Sequence, residues 1–353
     1  MRFGWLIVLT LLLLCVPVHA QESMPEVEQF WQQAEEYGVN RDENVADKLG
    51  QLMTQVPQIF GQLLTAGMRT GVKLLAVVMV CALGEGLGGA GGRCGLSAVR
   101  ISGALAITAL TMTDVAAMIG LGRDTIARID GFAAVLLPVM ALLSALSGSV
   151  TGAAVRQGAT VLFSKGLVYA MQSLLVPLVY AYVAVSCARA AVGNGGLERL
   201  AKGIKSAVTG LLTVLLVTFV GYLTATGAIS GSVDMSRVKA VRMAISRSIP
   251  VVGGILADAT ETVLAGAGVL RGSVGAAGMI VVLVICLTPF LHLSAQYLVY
   301  KGTAAVWACV AQKELSDLID AIGSAFGLVL GMTGASALIL LVSVASAVMA
   351  VTG

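Results

Sequence analysis

Charge is scarce in this sequence. Asp, Glu, Lys and Arg make up 12% of its 353 residues, about half the share found in soluble domains. Hydrophobic residues make up 58% and the mean hydropathy is +0.93. A water-borne fold cannot hide that much apolar surface, so lipid must cover part of it. The net charge of +3 excludes the broad basic face that nucleic acid requires. Histidine occurs twice, at His19 and His292. His292 stands beside an apolar run and reads as a packed or interfacial residue before a ligand. The cysteines are Cys15, Cys81, Cys94, Cys187, Cys286 and Cys309, with no C-x-x-C and no close pair. That spacing argues against a disulfide framework and more strongly against zinc.

Catalytic signatures are missing too. The chain contains no G-x-x-x-x-G-K-[ST], no H-E-x-x-H and no G-x-S-x-G, so it is not itself a P-loop motor, and an enzymatic role has no residues to rest on. Gly84, Gly86 and Gly89 satisfy G-x-G-x-x-G formally. They follow a membrane-type run and lack the acid about 20 residues on that a dinucleotide fold needs. No cofactor and no metal are expected.

Long apolar runs fill most of the chain. Residues 1–20 read as a secretory signal: Arg2 is the positive start, residues 5–16 are the apolar stretch, and cleavage follows Ala20. That stretch is short of the roughly 20 residues a span needs. Residues 21–70 form an extracytoplasmic acidic segment, because positive charge is what cytoplasmic loops retain. Within it Phe30, Trp31, Ala34 and Tyr37 share a helical face and Gly38 offers a stop. The reading is a short amphipathic helix lying on the membrane or docking a partner, with a solvated lead-in as the alternative.

Residues 71–353 form a multi-span domain. Apolar runs cover residues 74–92, 101–122, 131–155, 166–188, 206–229, 272–300 and 321–353, with a shorter piece at 302–312. The length rule gives about seven spans of an all-α, polytopic membrane protein. Pro138, Pro177 and Pro289 fall inside runs and predict bent, broken or re-entrant segments. Orientation conflicts with itself. Residues 189–205 and 237–247 each carry four bases and both read as cytoplasmic, yet a single span separates them. Four spans before residue 189 would also return it to the extracytoplasmic side.

Three features carry candidate function. Gly254, Asp258 and Glu261 share one helical face after Pro250, a small and acidic stripe facing either an aqueous path, a protein interface or headgroup water. Asp114 lies within a run and is a second candidate, for pore or interface, unless the span ends near it. Gly323, Gly327, Gly331 and Ala335 repeat every four residues, the small-residue spacing that lets helix backbones approach.

The order of several motifs resembles the stage III sporulation protein AE family of endospore-forming bacteria. Glu28-Gln29-Phe30-Trp31 and Glu36-Tyr37-Gly38 follow the signal. Leu137-Pro138-Val139-Met140-Ala141-Leu142-Leu143 leads to Ser147-Gly148. The closest likeness runs from Ile249-Pro250-Val251 through Asp258-Ala259-Thr260-Glu261-Thr262-Val263 to Leu270, and Tyr300-Lys301 comes after it. The resemblance implies a permease-like subunit in the mother-cell membrane around the forespore. Its partners would be a secretion-type ATPase and ring-forming membrane proteins of the same operon, and a forespore membrane protein across the intermembrane space. The complex would form a channel, or feeding tube, supporting late forespore development. A stand-alone secondary transporter of a small solute and a non-conducting scaffold for the ring proteins are the alternatives. The family supplies no catalytic residues to carry over.

Overall fold

The computed structural model describes residues 25–41, 45–88, 92–146, 153–225, 253–308 and 313–352, and every structural statement below concerns these. All of their regular structure is helical. In chain order the helices are α1 (Pro25–Glu36), α2 (Val45–Gly88), α3 (Gly92–Leu146), α4 (Ala153–Ala170), α5 (Val176–Val192), α6 (Gly195–Ala225), α7 (Gly253–Trp307) and α8 (Lys313–Thr352). A π-helical turn, Met171–Leu175, joins α4 to α5 without a break. Pro177 explains it: proline has no N–H to donate and its ring crowds the carbonyl four residues back, and one wider turn relieves both. Pro57, Pro138 and Pro289 lie inside helices that continue through them.

Six helices are long and apolar enough to cross a membrane: Gly50–Gly84, Ala98–Leu143, Thr160–Val192, Gly195–Phe219, Gly272–Trp307 and Lys313–Ala345. The count is one below the seven runs of the sequence because residues 101–122 and 131–146 belong to one helix, α3. Arg123, Asp124, Arg128 and Asp130 interrupt the hydropathy but not the helix. Between them Thr125, Ile126 and Ile129 are buried and carry the inward-facing stripe from Ile119 to Phe132. Asp124 and Arg128 stand one turn apart with the acid first, a spacing that supports a helix. At 55 residues, α3 is about 80 Å long, well over twice the roughly 30 Å hydrocarbon core.

Two hydrophobic clusters lie along the bundle. The larger gathers Leu74 and Val78 of α2, Ile107 and Ile119 of α3, Val179 of α5, Leu293 and Tyr300 of α7, and Phe326 of α8. The second gathers Phe132 and Leu136 of α3, Val281 of α7, Leu340 of α8, and Phe30 and Trp31 of α1. The amphipathic helix expected at residues 30–37 is therefore present as α1 and docks on its own chain. Phe30 is fully buried, its ring 5.2 Å from Trp31 and 6.0 Å from Phe132. Gly38 ends the segment with φ +72°, a left-handed conformation that glycine adopts at little cost. Large apolar side chains such as Val80, Leu105, Leu162, Tyr169 and Val217 remain exposed on the outside of the bundle, where lipid would meet them.

Small residues set the closest helix contacts. A Cβ on Gly122 would run into Val329 Cγ1. One on Gly323 would stand 3.1 Å from Tyr300 Cβ, and one on Gly327 3.0 Å from the Tyr297 ring. At Gly331, which is exposed, the nearest atom is Leu212 Cδ2 at an ordinary 3.5 Å. The four-residue stripe on α8 thus divides: Gly323 and Gly327 seat α7, whereas Gly331 and Ala335 border an open groove. The expected division between residues 70 and 71 falls in the middle of α2, whose Gly67 and Gly71 both pack on α7 beside Val299.

Candidate functional site

Polar side chains gather at one end of the bundle, where α5 turns into α6 and α7 turns toward α8. Gly193, at φ +72°, stops α5, and its N–H returns to the Arg189 carbonyl at 2.7 Å. Asn194 Oδ1 then accepts from the Gly196 N–H at 2.8 Å, an N-cap that starts α6. This tight joint holds Arg189 against α8: its guanidinium donates to Asp317 Oδ2 at 2.5 Å and stands 3.7 Å from Glu198 Oε2. Arg100 of α3 donates to the Val192 carbonyl at 3.3 Å. Charged groups of four helices thus meet around one turn.

Deeper in the bundle lies a second polar group. Lys301 of α7 donates to Asp320 Oδ1 at 2.7 Å and to Ser324 Oγ at 2.8 Å. Lys205 of α6 donates to the same Ser324 Oγ at 3.1 Å. On the other side of α7, the Tyr300 hydroxyl donates to Asp114 Oδ2 at 2.9 Å. His292, two turns before Tyr300, lies within electrostatic reach of Asp114. Gln296 sits between them on the same face, and its Oε1 is buried with no hydrogen-bond partner among the described residues. Ionisable groups in a low-dielectric interior need partners of this kind.

A third feature is a polar face on α2. Gln51, Gln55, Gln58, Gln62, Thr65 and Arg69 recur at alternating steps of four and three, and all six are exposed. Farther along α2, Gly67, Gly71, Leu74 and Val78 are buried, whereas no described residue from 51 to 66 is. Gly84 lies next to Val99 and Gly103 next to Cys81, so α2 and α3 are antiparallel. Carrying that register along both helices sets Arg123 and Asp124, themselves exposed, level with Gly61 and Gln62.

The residues singled out in the sequence are dispersed. Asp114 is half-buried on α3 and takes part in the interior network through Tyr300. Gly254, Asp258 and Glu261 lie in the first turns of α7, but their side chains are outside the described residues, and Pro250 is outside them altogether. Sequence reasoning missed Lys205, Lys301, Asp320 and Ser324, which three helices bring together. It also missed the α2 face, whose alternating spacing was legible from residue 51 onward. No group of three or more His, Cys, Asp or Glu positioned to hold a metal occurs among the described residues.

Six long apolar helices, two interior clusters of hydrophobic side chains and part-buried polar pairs define a polytopic all-α membrane protein. Residues 35–353 match the family stage III sporulation protein AE. The chain belongs to that family, and a role in sporulation follows. Comparison with curated proteins and with solved structures gave no match.

Proposed function

We propose that this protein is the permease-like membrane subunit of a sporulation channel complex between mother cell and forespore, needed for late forespore development. Its partners in this reading are a secretion-type ATPase, ring-forming membrane proteins and a forespore membrane protein. The sequence has no nucleotide-binding motif of its own, so energy would come from the ATPase. The observation that carries the reading is the polar face of α2. Five uncharged polar side chains and Arg69 are exposed along the first half of a helix whose later turns, from Gly67 on, pack into the membrane bundle. Hydrocarbon is a poor neighbour for them; water in a passage, or a polar partner helix, is a good one.

Orientation supports it. With α3 crossing once, three crossings separate α1 from the joint at 193–194, namely α2, α3 and the joined α4 and α5. An extracytoplasmic α1 then puts Arg189, Arg199, Lys202 and Lys205 on the cytoplasmic side, as the positive-inside rule requires. The turn after α7, beside Lys301 and Lys313, falls on the same side. The bases of residues 237–247, which the sequence also reads as cytoplasmic, lie outside the described residues.

The test is sporulation of a strain carrying Gln58→Leu with Gln62→Leu. The expected result is a loss of heat-resistant spores with the protein still present in the membrane at its normal level. Normal spore yield at that level would remove the α2 face from the argument. The Asp114–Tyr300 pair with His292 nearby favours a second reading, a stand-alone transporter coupled to cations. Solute uptake by the purified chain in liposomes, with no partner present, separates that reading from the first.

A further inference from the structure

We infer that the cleft between α6, α7 and α8 is a binding site for an anionic phospholipid, with the phosphate on Lys205, Lys301 and Ser324 and one acyl chain in the adjoining groove. Two cavities meet there. The first, about 290 Å³, is lined by Lys205, Tyr297, Lys301 and Ser324. Lys301 is matched by Asp320 at 2.7 Å, but Lys205 reaches only a hydroxyl and has no carboxylate partner among the described residues. Two ammonium groups against one carboxylate leave the cavity with a net charge of +1. Hydroxyls of Ser324 and Tyr297 stand beside it.

The second cavity, about 630 Å³, is almost wholly apolar, with Leu216, Leu283, Leu287, Phe290 and Leu338 in its lining and Leu52 of α2 beside them. It shares Gly327 and Leu330 with the first, so the two form one continuous depression. Gly331 and Gly334 keep its floor open. From Ser324 to Leu338 the α8 axis advances about 21 Å. One leaflet has about 15 Å of hydrocarbon, with several ångströms of headgroup layer beyond it. The depression therefore has the length of one leaflet, with charge at one end and hydrocarbon lining at the other. That pattern fits an amphiphile with a negative head. A soluble anion would leave the groove unused, and an apolar helix would leave Lys205 without a counter-charge. A lysine near a membrane surface favours an anionic headgroup.

The experiment uses the full chain, purified in detergent, delipidated, and examined by native mass spectrometry. The probes are palmitoyl-oleoyl phosphatidylglycerol, the phosphatidylcholine of the same chains, and inorganic phosphate. The expected result is one retained phosphatidylglycerol, bound at least about ten-fold more tightly than phosphatidylcholine. Lys205→Gln with Lys301→Gln should abolish that preference. Gly331→Phe, which fills the groove and leaves both lysines, should reduce binding of both lipids by a similar factor. Equal retention of the two lipids by the unaltered chain overturns the inference. So does binding of phosphate that competes with phosphatidylglycerol and is insensitive to Gly331→Phe, since that is a soluble-anion site. Cross-linking of Leu338→Cys to a second copy in liposomes, with no lipid retained, overturns it in favour of a dimer contact.

Discussion

Tyr300 donates its hydroxyl to Asp114 at 2.9 Å, tying α7 to α3 across 186 positions of sequence. The tyrosine is fully buried, and its ring meets Phe326 of α8 edge-on at 5.0 Å. One side chain thus joins three helices through a ring contact and a hydrogen bond to a carboxylate.

Tyr300→Phe keeps the ring and removes only the donor. The expected loss is about 1–3 kcal/mol of stability, the usual range for a buried acceptor deprived of its partner. Asp114→Asn leaves an acceptor for the hydroxyl and should cost less. Denaturant unfolding of both variants and of the double variant in detergent checks this. Energies that simply add, within about 0.5 kcal/mol, would mean that the two groups do not interact.

Arg189, at the joint between α5 and α6, stands by two acids, of which Glu198 has a nearer partner in Lys202 at 2.7 Å. Arg189 and Asp317 are largely shielded, with side-chain exposures of 20% and 32%, and their atoms are in direct contact; Glu198 is more open and 3.7 Å away. Asp317→Asn should lower the melting temperature measurably and Glu198→Gln should not. The Asp317 effect should survive 0.5 M salt, because partly buried pairs are screened weakly. An equal response of both acids to salt would place Asp317 in free solvent.

Glycine substitutions should sort by the space each Cβ would need. Gly122→Ala drives a methyl group into Val329 Cγ1 and should cost about 1–3 kcal/mol as overpacking. Gly331→Ala meets nothing closer than 3.5 Å and should be neutral or stabilising by up to about 1 kcal/mol, from helix propensity alone. Thermal unfolding of the two variants decides; the reverse order would mean that α3 and α8 are not in contact at Gly122.

Docking of α1 should be separable from the multi-span bundle. Phe132→Ala removes the ring that Phe30 and Tyr37 both pack against. Protease added to extracytoplasmic vesicle faces should then cut within residues 25–41 faster than in the unaltered chain, with the remainder of the protein intact. Unchanged cleavage would mean that α1 draws nothing from that seat.

If α3 crosses the bilayer once, as proposed above, α1 and the joint at 193–194 lie on opposite sides. In a background without native cysteines, Asn194→Cys should react with a membrane-impermeant maleimide only after permeabilisation. Glu36→Cys, exposed on α1, should react in intact cells. Reaction of both in intact cells would mean that residues 101–122 and 131–146 cross separately.

Much of this was legible in the sequence. Apolar run length located every candidate span among the described residues, because the bilayer sets a length that hydropathy reports directly. It failed at residues 123–130, where four charges look like a loop. The buried Thr125, Ile126 and Ile129 keep the helical period there, and the charges fall on the outward face or its margin. Periodicity, which hydropathy averages away, carried the information. The Lys205–Ser324–Lys301 cluster was not legible at all. Each residue is unremarked in its own segment, and only the packing of α6, α7 and α8 brings them together. Phe30 and Trp31 were recognised as one face of a helix, but their partner Phe132 lies about a hundred positions on, and no local pattern names it.

The seat of α1 has a temporal side. Its walls include Phe132 of α3 and Val281 of α7, which leave the ribosome long after Phe30 and Trp31. During synthesis α1 waits with an uncovered aromatic face until α3 arrives with Phe132, and its seat is complete only when α7 adds Val281. A chaperone or an assembly partner on that side of the membrane could therefore hold α1 before the rest of the chain can, and release it only once the chain is nearly finished.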